Sequence, residues 1–201
     1  DELQTRKSNL KNEDYKSLEG AALTRNVAPA CVRISTANGH ETGFFYKEGG
    51  YVMTCKRILL DQEGKVLPVT VTLEDGQSFK AKVLGVSERN DIGALKIECQ
   101  LHELLPIGDR EDLKPGLNLK LFGLVAKDKN IADVIPCTVL SPMDFWKNQP
   151  TSELALDASR ECRGGPIVNQ RGRVMGIFLT SKLGSARSLE AGAIHAFLKS
   201  L

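Results

Sequence analysis

Glu161-Cys162-Arg163-Gly164-Gly165-Pro166-Ile167-Val168-Asn169-Gln170-Arg171-Gly172-Arg173-Val174-Met175-Gly176-Ile177 is the stretch that decides how this chain is read. Two glycines and a proline make a tight turn into a short apolar run. Gln170-Arg171-Gly172 is a second turn, and Val174 to Ile177 reads as the strand that answers it. Arg163 stands at the head of the first turn. Its guanidinium is always charged and offers only donors, so it cannot attack a carbonyl.

Two further segments lie upstream. One is Gly49-Gly50-Tyr51-Val52-Met53-Thr54-Cys55-Lys56-Arg57-Ile58-Leu59, the other Asn90-Asp91-Ile92-Gly93-Ala94-Leu95-Lys96-Ile97. Shorter pieces are Val27-Ala28-Pro29-Ala30-Cys31-Val32-Arg33-Ile34, Thr42-Gly43-Phe44 and the run from Val71 to Val83. In this order the segments resemble the HtrA/Do-like branch of the trypsin-type serine proteases, over residues 22 to 201. The resemblance implies an all-β fold, a chymotrypsin/trypsin-like double β-barrel with six strands in each barrel and short N- and C-terminal helices. It also implies that Arg57 falls on the general-base position, Asp91 on the acid and Arg163 on the nucleophile, the chain order of that class. Glu161 falls on the oxyanion glycine, where a side chain and a negative charge both oppose an oxyanion. The loop from Asp157 to Arg163 is shorter than the family's.

These replacements lead to the expectation of a non-enzyme, a pseudoprotease domain that acts as a protein-binding or regulatory scaffold. Two alternatives come from other classes. Cys162, beside the nucleophile position, is the one nearby thiol for a hydrolase with rearranged chemistry, though no histidine stands at the base position. Arg57 and Arg163, with Lys56 and Arg160 close in sequence, suit an anion or acidic-peptide site. The simpler expectation is internal neutralisation by Asp91 and Glu161, with Asp91 paired to Arg57 and, in the wider form, to Arg163. Arg57, Asp91 and Arg163 are the candidate binding residues. The partner expected is a protein or peptide, and association with active relatives or self-association stays open.

The 201 residues are 41% hydrophobic and 26% charged, with a net charge of +2. That is an ordinary globular composition, without the concentrated basic surface of a nucleic-acid binder. No apolar run is long enough to span a membrane, and no signal peptide is evident at the start. The five cysteines, Cys31, Cys55, Cys99, Cys137 and Cys162, are scattered and odd in number. They read as free thiols, and hence as an intracellular, reducing compartment. No ligand spacing suggests a metal, and no cofactor is expected. His40, His102 and His195 lie outside the three segments and read as surface or loop residues.

The division along the chain is a polar tail and short helix over 1–26, a first barrel over 27–112, a second over 113–192 and a closing helix over 193–201. Leu18 to Arg25 is the first helical stretch. Val69, Val71 and Leu73 alternate with Thr70 and Thr72, the period of a half-buried strand. Ile194, Phe197, Leu198 and Leu201 recur at helical spacing. Trp146 is placed on a loop of the second barrel, as an exposed anchor for a partner or as a satellite of the core.

Overall fold

The computed structural model describes residues 20–100, 103–109, 112–124, 130, 132–182 and 185–201. Residues 1–19, His102, Arg110 and Glu111 lie outside the described residues. The architecture is the all-β double barrel that the resemblance implies.

Strands β1 (Cys31–Thr36), β2 (Gly39–Lys47), β3 (Tyr51–Thr54), β4 (Val69–Thr72), β5 (Ser78–Val86) and β6 (Gly93–Lys96) close the first barrel in the order β1-β2-β3-β6-β5-β4. The second holds β7 (Asn118–Gly123), β8 (Asp133–Trp146), β9 (Gln149–Ala155), β10 (Pro166–Val168), β11 (Val174–Lys182) and β12 (Ser185–Glu190), in the order β10-β11-β12-β9-β8-β7. Every named pairing is antiparallel. Closure leaves no free sheet edge in either barrel.

The turns follow from local chemistry. Asp75-Gly76 reverses the chain between β4 and β5, with Gly76 at φ 86°. In β4 the alternation is as expected, Val69 and Val71 buried and Thr70 and Thr72 on the other face. Each barrel has its own filling. Val32, Ile34, Phe45, Val52 and Leu95 pack inside the first, and Leu119, Leu121, Val139, Leu154 and Phe178 inside the second. A third cluster lies between them, with Phe44, Met53, Phe122 and Ile177 at its centre.

Two helices cap that middle cluster. Helix α1 (Ala21–Val27) buries Leu23 and Val27, one turn apart. Helix α2 (Ala191–Leu198) buries Ile194 and Phe197 in the same cluster, with Leu198 half-buried beside them. The closing helix therefore begins earlier and ends sooner than its apolar spacing suggests. Leu201 lies beyond it and is exposed, because Lys199 and Ser200 close the helix by donating to His195 O and Phe197 O.

Trp146 is not on a loop. It ends β8, in a long β8–β9 hairpin whose turn residues Lys147 and Asn148 have φ of 51° and 61°. Its ring is half-buried against the middle cluster, with Lys147 Nζ 4.5 Å above the ring centroid. The exposed aromatic of the pair is Phe145, at 69%. His40 is on β2 and His195 on α2, so neither is a loop residue. Among the described residues no helix is long and apolar enough to cross a membrane.

Candidate functional site at the barrel interface

Arg57, Asp91 and Arg163 come from three separate places in the fold. Arg57 sits on a single 3-10 turn, Lys56–Ile58, directly after β3. Asp91 lies in the loop that enters β6. Arg163 follows a second 3-10 turn, Arg160–Cys162, between β9 and β10.

Asp91 grips Arg57 by backbone and side chain together. Arg57 donates its main-chain N–H to Oδ1 at 3.0 Å and its Nε–H to Oδ2 at 2.5 Å, and its Nη2 reaches Oδ2 as well. The Asp91 main-chain N–H donates in turn to Oε1 of Gln149, on β9, at 2.9 Å. The acid is thus held from both barrels. Side-chain exposure is 31% for Arg57 and 12% for Asp91, so the pair is shielded but not dry.

Arg163 does not join this pair. Among the described residues its guanidinium makes no hydrogen bond or ion pair within range. Of the expected Asp91 pairings, the one to Arg57 is therefore formed and the wider one to Arg163 is not. Burial, and then the neighbouring Arg57 charge, lower the Arg163 pKa from the usual arginine value. A guanidinium nevertheless stays charged at neutral pH. Arg160 is close by and donates to Asn38 O at 3.2 Å. Lys56 is turned aside, its Nζ donating to Ser87 O at 2.7 Å.

The loop around Arg163 is held rigidly by its backbone. Arg163 N–H donates to Arg160 O at 3.0 Å and Gly164 N–H to Phe178 O at 2.9 Å. The first of these commits the Arg163 N–H to its own loop. Gly164 has φ 79°, and a Cβ there would lie 2.2 Å from Thr42 O, so no other residue fits without displacing the first barrel. Thr42 is the tie across the interface. Its N–H donates to Arg163 O at 2.8 Å, its hydroxyl donates to Glu161 O at 2.8 Å, and the same hydroxyl accepts from Leu124 N–H at 3.0 Å.

Cys162 faces the opposite way. It is fully buried in the interior of the second barrel, and a Cβ on Gly123 would lie 2.4 Å from its sulfur. Burial raises its thiol pKa from the usual value, which removes the thiolate that nucleophilic chemistry needs. The sequence-based alternative in which Cys162 attacks a substrate therefore fails on direction, burial and charge.

Glu41, on β2, escaped the sequence reading. It is only 2% exposed, and its Oε2 has no hydrogen-bond partner. Burial pushes its carboxyl up from 4.5 to about 7; Arg57 works against that rise, Asp91 adds to it, and Arg163 and Arg160 oppose it. One signal was available: Glu41 directly precedes Thr42-Gly43-Phe44, in a strand buried without interruption from 41 to 45. A strand buried on both faces has another layer against its second face. Among the described residues no group of three His, Cys, Asp or Glu is placed to hold a metal.

A family model for the trypsin-like peptidase domain matches residues 41–177. The chain belongs to the trypsin-like peptidase family. Within the family, this peptidase domain is 28% identical over 139 residues to a probable periplasmic serine endoprotease, DegP-like, of Halomonas elongata, a match covering 68% of the chain and 28% of the relative. A DegP-like protein of Chlamydia trachomatis with the same description is 30% identical over 141 residues, 68% of the chain and 27% of the relative. The domain thus spans little more than a quarter of the length of the curated relatives it matches. The Rv3671c protease, in an inactive form, superposes with a TM-score of 0.72 at 21% identity, covering 91% of this chain and 96% of that one. A serine-to-alanine mutant of Rv3671c from M. tuberculosis gives 0.73 at 20%, covering 89% of both. At that identity the likeness speaks for the fold.

Two expectations are corrected by these relatives. The non-enzyme reading is overturned: the curated relatives are named serine endoproteases and the solved neighbour a protease, so the family of this domain is one of enzymes. The intracellular, reducing compartment is overturned as well, since the same relatives are named periplasmic. The physical reason lies in the thiols. Cys31, Cys55, Cys137 and Cys162 are free but buried, and burial raises the pKa of each. A thiol without solvent access or thiolate character stays free in any compartment, so it carries no address.

Proposed function

We propose that the inter-barrel cleft of this domain is a polypeptide-recognition site, a protein-binding or regulatory part of an HtrA-like protein. The observation that carries it is the charge arrangement. Arg57 is locked to Asp91, whereas Arg163 leaves a shielded guanidinium without a partner among the described residues. A half-buried guanidinium is only partly hydrated, so an anion or a set of acceptors that meets it is favoured. The endoproteases among the relatives act on polypeptide chains, which makes polypeptide the ligand class. Arg57 and Arg163 enter as donors and charges, since a guanidinium neither takes a proton from a hydroxyl nor attacks a carbonyl.

The test uses fluorescein-labelled, denatured casein. Its anisotropy with the purified domain is followed while the same sample is checked for new fragments. The expected result is saturable binding that weakens in Arg163→Met, with the fold retained by circular dichroism. No binding in any variant would sink the recognition role. Cleavage that disappears in Arg163→Met would replace it with a catalytic role for that residue.

A further inference from the structure

We infer that Glu41 and Arg163 are the two halves of an ion pair that stands open while Glu41 is protonated and closes across the barrel interface when Glu41 loses its proton. The pair needs no ligand and goes beyond the recognition role proposed above.

Both halves lack a partner as they stand. Glu41, on β2 of the first barrel, is 2% exposed, and its Oε2 makes no hydrogen bond. Such burial favours the neutral carboxyl over the carboxylate. Arg163, on the second barrel, is half-buried, and its guanidinium makes no hydrogen bond or ion pair among the described residues. Each acts on the other's charge. Burial holds the proton on Glu41 up to about 7; Arg57 opposes it, Asp91 adds to it, and Arg163 and Arg160 oppose it. Burial, and then Arg57, work against the charge on Arg163, and Glu41 works for it. The two chains also meet. Thr42 follows Glu41 directly, and its N–H donates to Arg163 O at 2.8 Å. The pair can therefore close by rotation of side chains, with that backbone tie intact.

The surroundings of Glu41 leave Arg163 as its partner. The turn after β3 carries Lys56 and Arg57. Arg57 has the larger influence on Glu41, but its main-chain N–H, Nε and Nη2 are all on Asp91. Lys56 Nζ goes to Ser87 O. The turn before Arg163 carries Arg160, exposed and donating to Asn38 O, and Glu161, a further acid. On β1, Ile34 lies opposite Glu41, and His40, next along β2, is taken by Ser35 Oγ at 2.8 Å. Cys55 is fully buried, and burial pushes its thiol up, so it stays neutral. Ionised Glu41 therefore has one uncommitted guanidinium to meet it, whose planar fork suits both carboxylate oxygens. Closure adds a side-chain tie to the main-chain tie at Thr42 and draws Arg163 into the interface. Rising pH closes the pair and falling pH opens it.

The experiment follows the arginine Nε–H signals of the intact, isotope-labelled domain by NMR from about pH 5 to about pH 8.5, with no ligand present. The Arg163 signal is the one missing from Arg163→Met. It should shift along one titration curve as pH rises and exchange with solvent about tenfold more slowly at the upper end. In Glu41→Gln it should keep its low-pH position throughout. A second readout serves where Glu41→Gln does not fold. Arg163→Met should raise the Glu41 midpoint, read from its carboxyl carbon signal, by about tenfold or more in proton affinity, since an opposite charge beside a carboxylate favours its ionised form. An Arg163 signal that ignores pH, or that moves equally in Glu41→Gln, would overturn the pair. So would a Glu41 midpoint that Arg163→Met leaves unchanged. A titrating Arg57 signal in place of Arg163 would give Glu41 the other arginine and overturn it too. Failure of casein binding leaves these readouts unaffected, so recognition and closure fall separately.

Discussion

Asp91, which only the resemblance puts at an acid position, holds Arg57 in the structure. It accepts three donors from Arg57 and ties its own N–H to Gln149. Asp91→Ala should cost about 2–3 kcal/mol, less than the 3–5 of a fully buried pair and more than the fraction of a kcal/mol of an exposed one. Urea denaturation measures it, and an unchanged midpoint would show that the pair is only a surface contact. Glu41 makes a prediction that depends on pH. Its carboxyl holds a proton more tightly in the folded chain, at about 7, than in the unfolded one. The stabilising contribution is therefore full below about 4.5 and fades as pH rises through 7, by about 3 kcal/mol in all. Glu41→Gln should flatten the stability profile across that window; a slope as steep as the parent's would assign the titration elsewhere. The two residues also mark what was legible beforehand. Asp91 belongs to a motif with a fixed neighbour order, so its position could be read. Glu41 belongs to none, and its burial arises only when the second barrel closes over β2. Nor could sequence show that Arg163 stands apart, since spacing along a chain does not give side-chain distances across two barrels.

At the scale of elements, the 3-10 turn Arg160–Cys162 and strand β2 form a joint. Thr42→Val keeps the shape and removes the hydroxyl that serves Glu161 O and Leu124 N–H. Two buried backbone groups would then lack partners, at about 2–4 kcal/mol together. A denaturation midpoint equal to the parent's would show that the joint relaxes onto other partners. The same joint bears on chemistry. Combining Arg57→His with Arg163→Ser supplies a base and a hydroxyl, yet the N–H of residue 163 still points to Arg160 O. That double variant should hydrolyse a fluorogenic peptide no faster than the parent; a clear gain would mean that the loop turns its N–H outward on binding. The strands themselves were readable from turn glycines and from the two-residue period of β4. The β8–β9 hairpin was not, because the bulges between Val139 and Asp144 break the alternation that would have announced it.

At the scale of the molecule, two closed barrels share one apolar cluster, and helices α1 and α2 seal it. The double barrel was legible because several segments match one family in one order. Compartment was not, because the number of free cysteines says nothing about where their sulfurs point. Those sulfurs have another consequence. Cys31 and Cys55 are sealed in the first half of the chain, Cys137 and Cys162 in the second. Each is silent toward a water-soluble thiol reagent until its surroundings open. The chain thus carries four internal clocks needing no introduced label, two in the cluster between the barrels, Cys31 and Cys55, and two inside the second barrel, Cys137 and Cys162. Pulsed alkylation with mass readout should find all four ticking at one rate if the barrels open together. Two distinct rates, one for Cys31 and Cys55 and another for Cys137 and Cys162, would show that the seam between the barrels and the interior of the second barrel open separately.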